Sequence, residues 1–267
     1  MKKRRRHSTI TEDGVLRAVR LLRWVTRLTL VLFFGGKGKR LKALEKILPV
    51  LEREGRVHTL WHRGEKVYFL PRKERTKLVS IEHEIACALI LVLLRCCRMD
   101  ESEIIPERSF RGFGIVPEAG IRYSEARNTM LIFEFCTLSN FKHGGVMKSK
   151  ITRYIKHLPR MEEKFGRNIN VLFVIDIERR KVKEFVKRIG NFNYSSDYSG
   201  SYGSWEPDVG SVADGDQSAP YGGEAFPLDP FFFTDYQKFK SVPVGEALTA
   251  KIYFWHDGQE WRLTGND

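Results

Sequence analysis

Apolar residues recur at intervals of three and four over residues 11–22, where Val15, Leu16, Val19 and Leu22 fall on one side of a helix. Thr11 is suited to cap it, and Glu12 and Asp13 occupy the first turn, where acids oppose the positive helix end. Thr26 opens a second helix over 26–34, and Gly35-Gly36 ends it by supplying backbone freedom. A third helix follows. Leu41, Leu44, Ile47, Leu48 and Leu51 form its apolar stripe, and Lys37, Lys39, Arg40, Lys42 and Lys46 cover the rest. Pro49 removes one helical hydrogen bond, so a kink or break is expected there. Residues 56–61 and 67–70 are β-rich, and the Gly-containing stretch 62–66 between them predicts a hairpin. Three helices and a hairpin whose tip carries Arg63 and Lys66 have the layout of a winged helix, a basic tail at 1–10 preceding a domain at 11–72.

Residues 71–77 form a polar linker, and a different pattern begins after them. Glu82-His83-Glu84-Ile85 opens a strongly apolar helix reaching about Cys97, and strands are expected at 113–115, 119–123, 130–136 and 170–175. The last two are apolar enough for the centre of a sheet covered on both faces. Helices at 148–165, where Pro159 is a point of division, and at 179–189 complete an α/β order. Residues 191–225 are rich in Gly, Ser, Tyr and Asp and lack aliphatic runs, which reads as a flexible insertion. Apolar strands return at 230–234 and 251–255 beside an Asp257-Gly258 turn, so a second domain spans 78–267. No apolar run reaches the roughly 20 residues needed to span a bilayer, and the basic start lacks the apolar stretch of a secretion signal. A cytoplasmic protein with no membrane role is expected. Its four cysteines, Cys87, Cys96, Cys97 and Cys136, are too few for a disulfide scaffold and read as reduced thiols.

The net charge of +13 is segregated along the chain. Residues 1–77 carry +15 and 142–188 carry +9, whereas 78–141 carry −3 and 189–267 carry −8. Two basic blocks suit a polyanion, because each phosphate neutralised by Lys or Arg releases condensed counterion. Double-stranded DNA is the expected partner, contacted through Lys37, Lys39, Arg40, Lys42, Lys46, Arg63 and Lys66. Arg4, Arg5 and Arg6 read as a DNA arm or as a plain basic tail.

Glu134 lies inside the apolar strand Leu131-Ile132-Phe133-Glu134-Phe135-Cys136, and a carboxylate there needs a cation, a metal or a donor. It reads either as a catalytic acid, with Glu84, Glu118 and Lys148 or Lys150, or as an ion-pair partner of Arg122, Lys148 or Lys150. Metal-dependent phosphodiester cleavage would use Glu118 and Glu134 as ligands of magnesium or manganese. His83, His143, His157 and His256 are dispersed and without metal spacing, Cys136 reads as a buried inert thiol, and Tyr194, Tyr198, Tyr202 and Trp205 read as part of a spacer.

Taken in order, the winged-helix-like start, Glu82-His83, Pro106-Glu107-Arg108, Pro117-Glu118-Ala119, the Glu134 strand, Lys148-x-Lys150-Ile151-x-x-x-Tyr154 and Val171-Leu172-Phe173-Val174 resemble the replication-relaxation family of plasmids and mobile elements. The resemblance runs from about residue 11 to 189, with a weaker echo in Phe231-Phe232-Phe233-Thr234. It implies an α+β protein, a winged helix followed by a restriction-endonuclease-like α/β domain with a mixed central sheet. It also implies a site of Pro-Asp followed by Asp/Glu-x-Lys. Glu118 takes the place of the aspartate and Glu134 that of the second acid, and the lysine position falls on Cys136. The function implied is DNA binding in replication initiation, relaxation or transfer, by a chain compatible with a homodimer. An active metal-dependent endonuclease and an interaction module of a replication or transposition complex are the alternatives.

Overall fold

The computed structural model describes residues 10–35, 39–71, 81–96, 104–124, 129–138, 144–190, 231–254 and 258–263. Residues 1–9 of the basic tail with Arg4, Arg5 and Arg6, the Lys37 position, the Lys39 side chain, residues 72–77 of the linker, His143, His256 and the 191–225 insertion lie outside the described residues.

The protein is of the α+β class. Its N-terminal part runs α1 (Glu12–Leu22), β1 (Trp24–Thr26), α2 (Arg27–Phe33), α3 (Lys39–Arg53), β2 (His58–His62) and β3 (Glu65–Phe69), the winged-helix order. Thr11 caps α1 by accepting from the Gly14 N–H at 3.1 Å, and Thr26 caps α2 in the same way from the Thr29 N–H. The short strand β1 was not legible in the apolar pattern. It pairs with β3 to give a three-stranded sheet of order β1-β3-β2. The hairpin turn is tighter than expected: His62, Glu65 and Lys66 are strand residues, and Arg63-Gly64 alone make the turn with φ of 50° and 79°. Positive φ at both central positions matches the twist of the flanking strands, and the glycine adopts it without a Cβ clash. Helix α3 stays one helix through Pro49, contrary to the expected break. The proline lies on the exposed side of the helix, away from buried Leu44, Leu48 and Leu51.

The rest of the chain runs α4 (Ile81–Arg95), β4 (Ile104–Pro106), a 3-10 turn (Glu107–Phe110), β5 (Ala119–Ser124), β6 (Thr129–Cys136), α5 (Gly144–Phe165), β7 (Asn168–Ile175), α6 (Arg179–Gly190), β8 (Phe231–Asp235), α7 (Tyr236–Lys240), β9 (Tyr253–Phe254) and β10 (Glu260–Trp261). These strands form one mixed seven-stranded sheet of order β10-β9-β8-β7-β6-β5-β4. β4, β5 and β6 form an antiparallel meander, and β7 and β8 add parallel to β6 through α5 and α6. Residues 113–115 do not form the expected strand. Phe113 and Ile115 are nevertheless buried, so their apolar character reflects packing under α5 rather than a ladder. Helix α5 likewise runs unbroken through Pro159.

β6 and β7 are buried on both faces, and alternation sorts their side chains. Leu131, Phe133, Phe135, Leu172 and Val174 face a core shared with α4, α7 and the winged helix. Met130, Ile132, Cys136, Val171, Phe173 and Ile175 face a second core formed by α5 and α6. Glu134 has the parity of Ile132 and Cys136 and therefore points toward α5. Among the described residues, no helix is long and apolar enough to cross a membrane.

Candidate functional site

Glu134 is buried, and both carboxylate oxygens are engaged from α5. The Lys150 ammonium donates to Oε2 at 2.5 Å, and the Tyr154 hydroxyl donates to Oε1 at 2.6 Å. Lys150 and Tyr154 are four residues apart and so share one helix face. Of the three cations considered from the sequence, the structure brings Lys150 to Glu134. The Lys148 side chain is exposed. Burial pushes the Glu134 carboxyl up and Lys150 and Tyr154 oppose that, with a net upward direction. For Lys150, burial works against the charge, but the Glu134 carboxylate outweighs it and holds the ammonium above its ordinary value. Cys136 lies within electrostatic reach of Lys150, and burial raises its thiol to about 12. It is an inert neutral group at the position where the resemblance calls for lysine.

Glu118 precedes β5, its N–H donating to the Phe133 carbonyl at 3.0 Å. Its carboxylate meets α4 instead of α5, with Oε1 2.8 Å from Nε2 of His83. Cys87, one turn beyond His83, completes a group in which one donor atom from each of His83, Cys87 and Glu118 lies within 4.8 Å of the others. Burial disfavours the His83 charge, yet the hydrogen bond and charge of Glu118 prevail and raise its pKa. The Cys87 thiol is pushed well up, first by burial and then by Glu118 and Glu84. Reading the histidines alone missed this group. The signal was His83-x-x-x-Cys87 on a helix, since that spacing places both side chains on one face. Glu84 instead faces the winged helix, 3.7 Å from Arg23, which also pairs with Glu107.

Magnesium and manganese favour a shell of oxygen ligands. Glu118 has a nitrogen and a sulfur as its nearest functional neighbours, and Glu134 has an ammonium and a phenol. This donor set does not fit a hard cation.

The basic residues of the winged helix divide into two groups. Lys42 and Lys46 are exposed on the solvent side of α3, opposite buried Leu44, Leu48 and Leu51. Arg40 turns back to donate to the Phe34 and Gly35 carbonyls, closing the end of α2. Lys66 donates to Glu52 at 2.6 Å and Arg63 reaches Glu82 at 2.5 Å, although the Arg63 side chain stays largely exposed. Trp61, beside the wing tip, is 73% exposed. No protein-family model, no curated protein and no solved structure matches this chain.

Proposed function

We propose that this chain is a DNA-binding protein of a plasmid or mobile element, acting in replication initiation, DNA relaxation or transfer. Its winged helix engages duplex DNA, and its sheet domain serves as a nuclease-like scaffold rather than a cutting centre. One observation carries the DNA reading: Lys42 and Lys46 stand one turn apart on the exposed side of α3, and the wing that Glu52 ties to the same helix carries the largely exposed Arg63 at its turn. A helix so placed lies along a groove while the wing and helix ends hold phosphates and fix register. The plasmid or mobile-element context rests on the ordered resemblance from the winged helix to β7. A cytoplasmic location, a homodimer on inverted half-sites and contacts with replication or transposition proteins belong to the same reading.

The test is fluorescence anisotropy on a labelled duplex across a salt series. The logarithm of affinity is expected to fall linearly with the logarithm of salt, and Lys42→Ala/Lys46→Ala to make that slope shallower by about 2. An affinity independent of salt overturns the reading. The scaffold role is supported by the engagement of both Glu134 carboxylate oxygens by Lys150 and Tyr154. Supercoiled plasmid incubated with magnesium or manganese is expected to remain supercoiled. Metal-dependent nicks that disappear in Glu134→Gln would instead make that pair part of a cutting centre.

A further inference from the structure

We propose that His83, Cys87 and Glu118 form a binding site for a zinc-type transition metal, joining α4 to the start of β5. The three donors are an imidazole, a thiol and a carboxylate, the ligand types zinc takes in four-coordinate sites. In a tetrahedral site with bonds of about 2.0–2.3 Å, donor atoms lie roughly 3.3–3.6 Å apart. Here they lie within 4.8 Å of one another, with His83 and Glu118 already at 2.8 Å, so side-chain shifts alone bring them onto one ion.

A second observation concerns room and charge. A small cavity of about 30 Å³ borders Cys87 and Glu118, though not His83, and its other walls are Arg23, Glu84 and apolar side chains such as Leu91 and Phe133. A site of this size holds a water, the usual fourth partner of three protein ligands. Arg23 is the cation on that wall, and Glu84 and Glu107 engage it. The His83 ring packs against Phe135 with centroids 5.3 Å apart, which fixes the imidazole plane. All three ligating residues are partly exposed at the residue level. The mixed nitrogen and sulfur donors explain why the same Glu118 suits magnesium poorly.

The proposal is independent of the DNA-binding reading, and its test contains no DNA. Metal-free full-length protein is titrated with cobalt(II) and read by absorption. The expected result is one equivalent bound, with a sulfur-to-cobalt charge-transfer band in the near ultraviolet that zinc abolishes by displacement. Cys87→Ser is expected to lose the band, and His83→Gln to weaken affinity by about 100-fold or more, while Cys136→Ser keeps both. Far-ultraviolet circular dichroism confirms that each variant is folded, and Cys87→Ala replaces the serine variant if the latter is not. Absence of the band in the wild type, or its persistence in folded Cys87→Ser, overturns the proposal. Zinc is also expected to raise the melting temperature of the wild type and not of the Cys87 variant; equal shifts in both would overturn it.

Discussion

At the scale of single residues, Glu134 and Lys150 are unequal partners. The Glu134 side chain is 3% exposed and that of Lys150 is 24% exposed, so the lysine reaches water when its partner is lost and the carboxylate does not. Glu134→Gln keeps a partner for the Tyr154 hydroxyl and is expected to cost only about 1 kcal/mol. Lys150→Met leaves a buried carboxylate and is expected to cost about 3 kcal/mol near neutral pH. Its penalty is also pH-dependent. An acid whose folded pKa is raised favours the protonated form, so stability falls as pH climbs from the ordinary carboxylate range toward the folded value. Denaturant melts of Lys150→Met at about pH 5 and pH 8 should therefore diverge from wild type more at the higher pH; a gap that shrinks instead would place the charge elsewhere. The sequence made Glu134 conspicuous because a carboxylate inside Leu131–Cys136 breaks an apolar run. It left Arg122, Lys148 and Lys150 equivalent, because choosing among them depends on how α5 lies across the sheet. The His83, Cys87 and Glu118 group was hidden for a similar reason. Cys87 and Glu118 lie 31 positions apart in the chain, and the docking of α4 on the meander brings them together.

At the scale of elements, Glu52 ties α3 to the wing, accepting from Lys66 on β3 at 2.6 Å and from Thr59 on β2 at 2.7 Å. These two hydrogen bonds, Lys66 first, hold its carboxyl below the ordinary value. A depressed acid pKa contributes stability that is present above the unfolded value and lost as pH falls through the folded one. Wild type is thus expected to lose more stability than Glu52→Gln on acidification below the ordinary carboxylate range, and parallel curves would contradict the tie. Closer packing limits β5. A Cβ at Gly120 would lie 2.8 Å from Phe110 Cζ and 3.3 Å from both Ile105 and Ile132, so Gly120→Ala is expected to cost about 1–3 kcal/mol in a denaturant melt. Most elements were legible because periodicity and caps are local: α1, α2, the wing, α4, β6 and β7 follow from them. The misreadings have physical causes as well. Pro49 and Pro159 both sit on exposed helix sides, where the rings displace no core side chain, and neither helix divides. β1 and β4 span three residues each, too few for an alternating pattern, and exist because a partner strand is waiting in the tertiary structure.

At the scale of the whole molecule, α4 is where the two halves meet. The sequence sets its circumference almost wholly apolar, and the fold uses every side: β1 and α2 of the winged helix pack on it from one direction, and β5, β6 and α7 from the other. Polar ties reinforce the seam. Arg95 at the end of α4 donates to the Phe33 carbonyl and stacks over that ring at 3.8 Å, Arg63 pairs with Glu82, and Arg23 reaches Glu84 and Glu107. The change of pattern after the linker therefore marks a change of architecture within one continuous apolar cluster. Removing α4 would bare Val25, Leu30 and Phe33 on one side and Phe133 and Phe135 on the other. Separate melting of the halves would expose that surface to water, at about 25 cal/mol for each Å² of apolar area. The winged helix and the sheet are accordingly expected to unfold together. Calorimetry should give one transition whose measured and van't Hoff enthalpies agree. Two resolved transitions would mean that the α4 seam opens before either half unfolds.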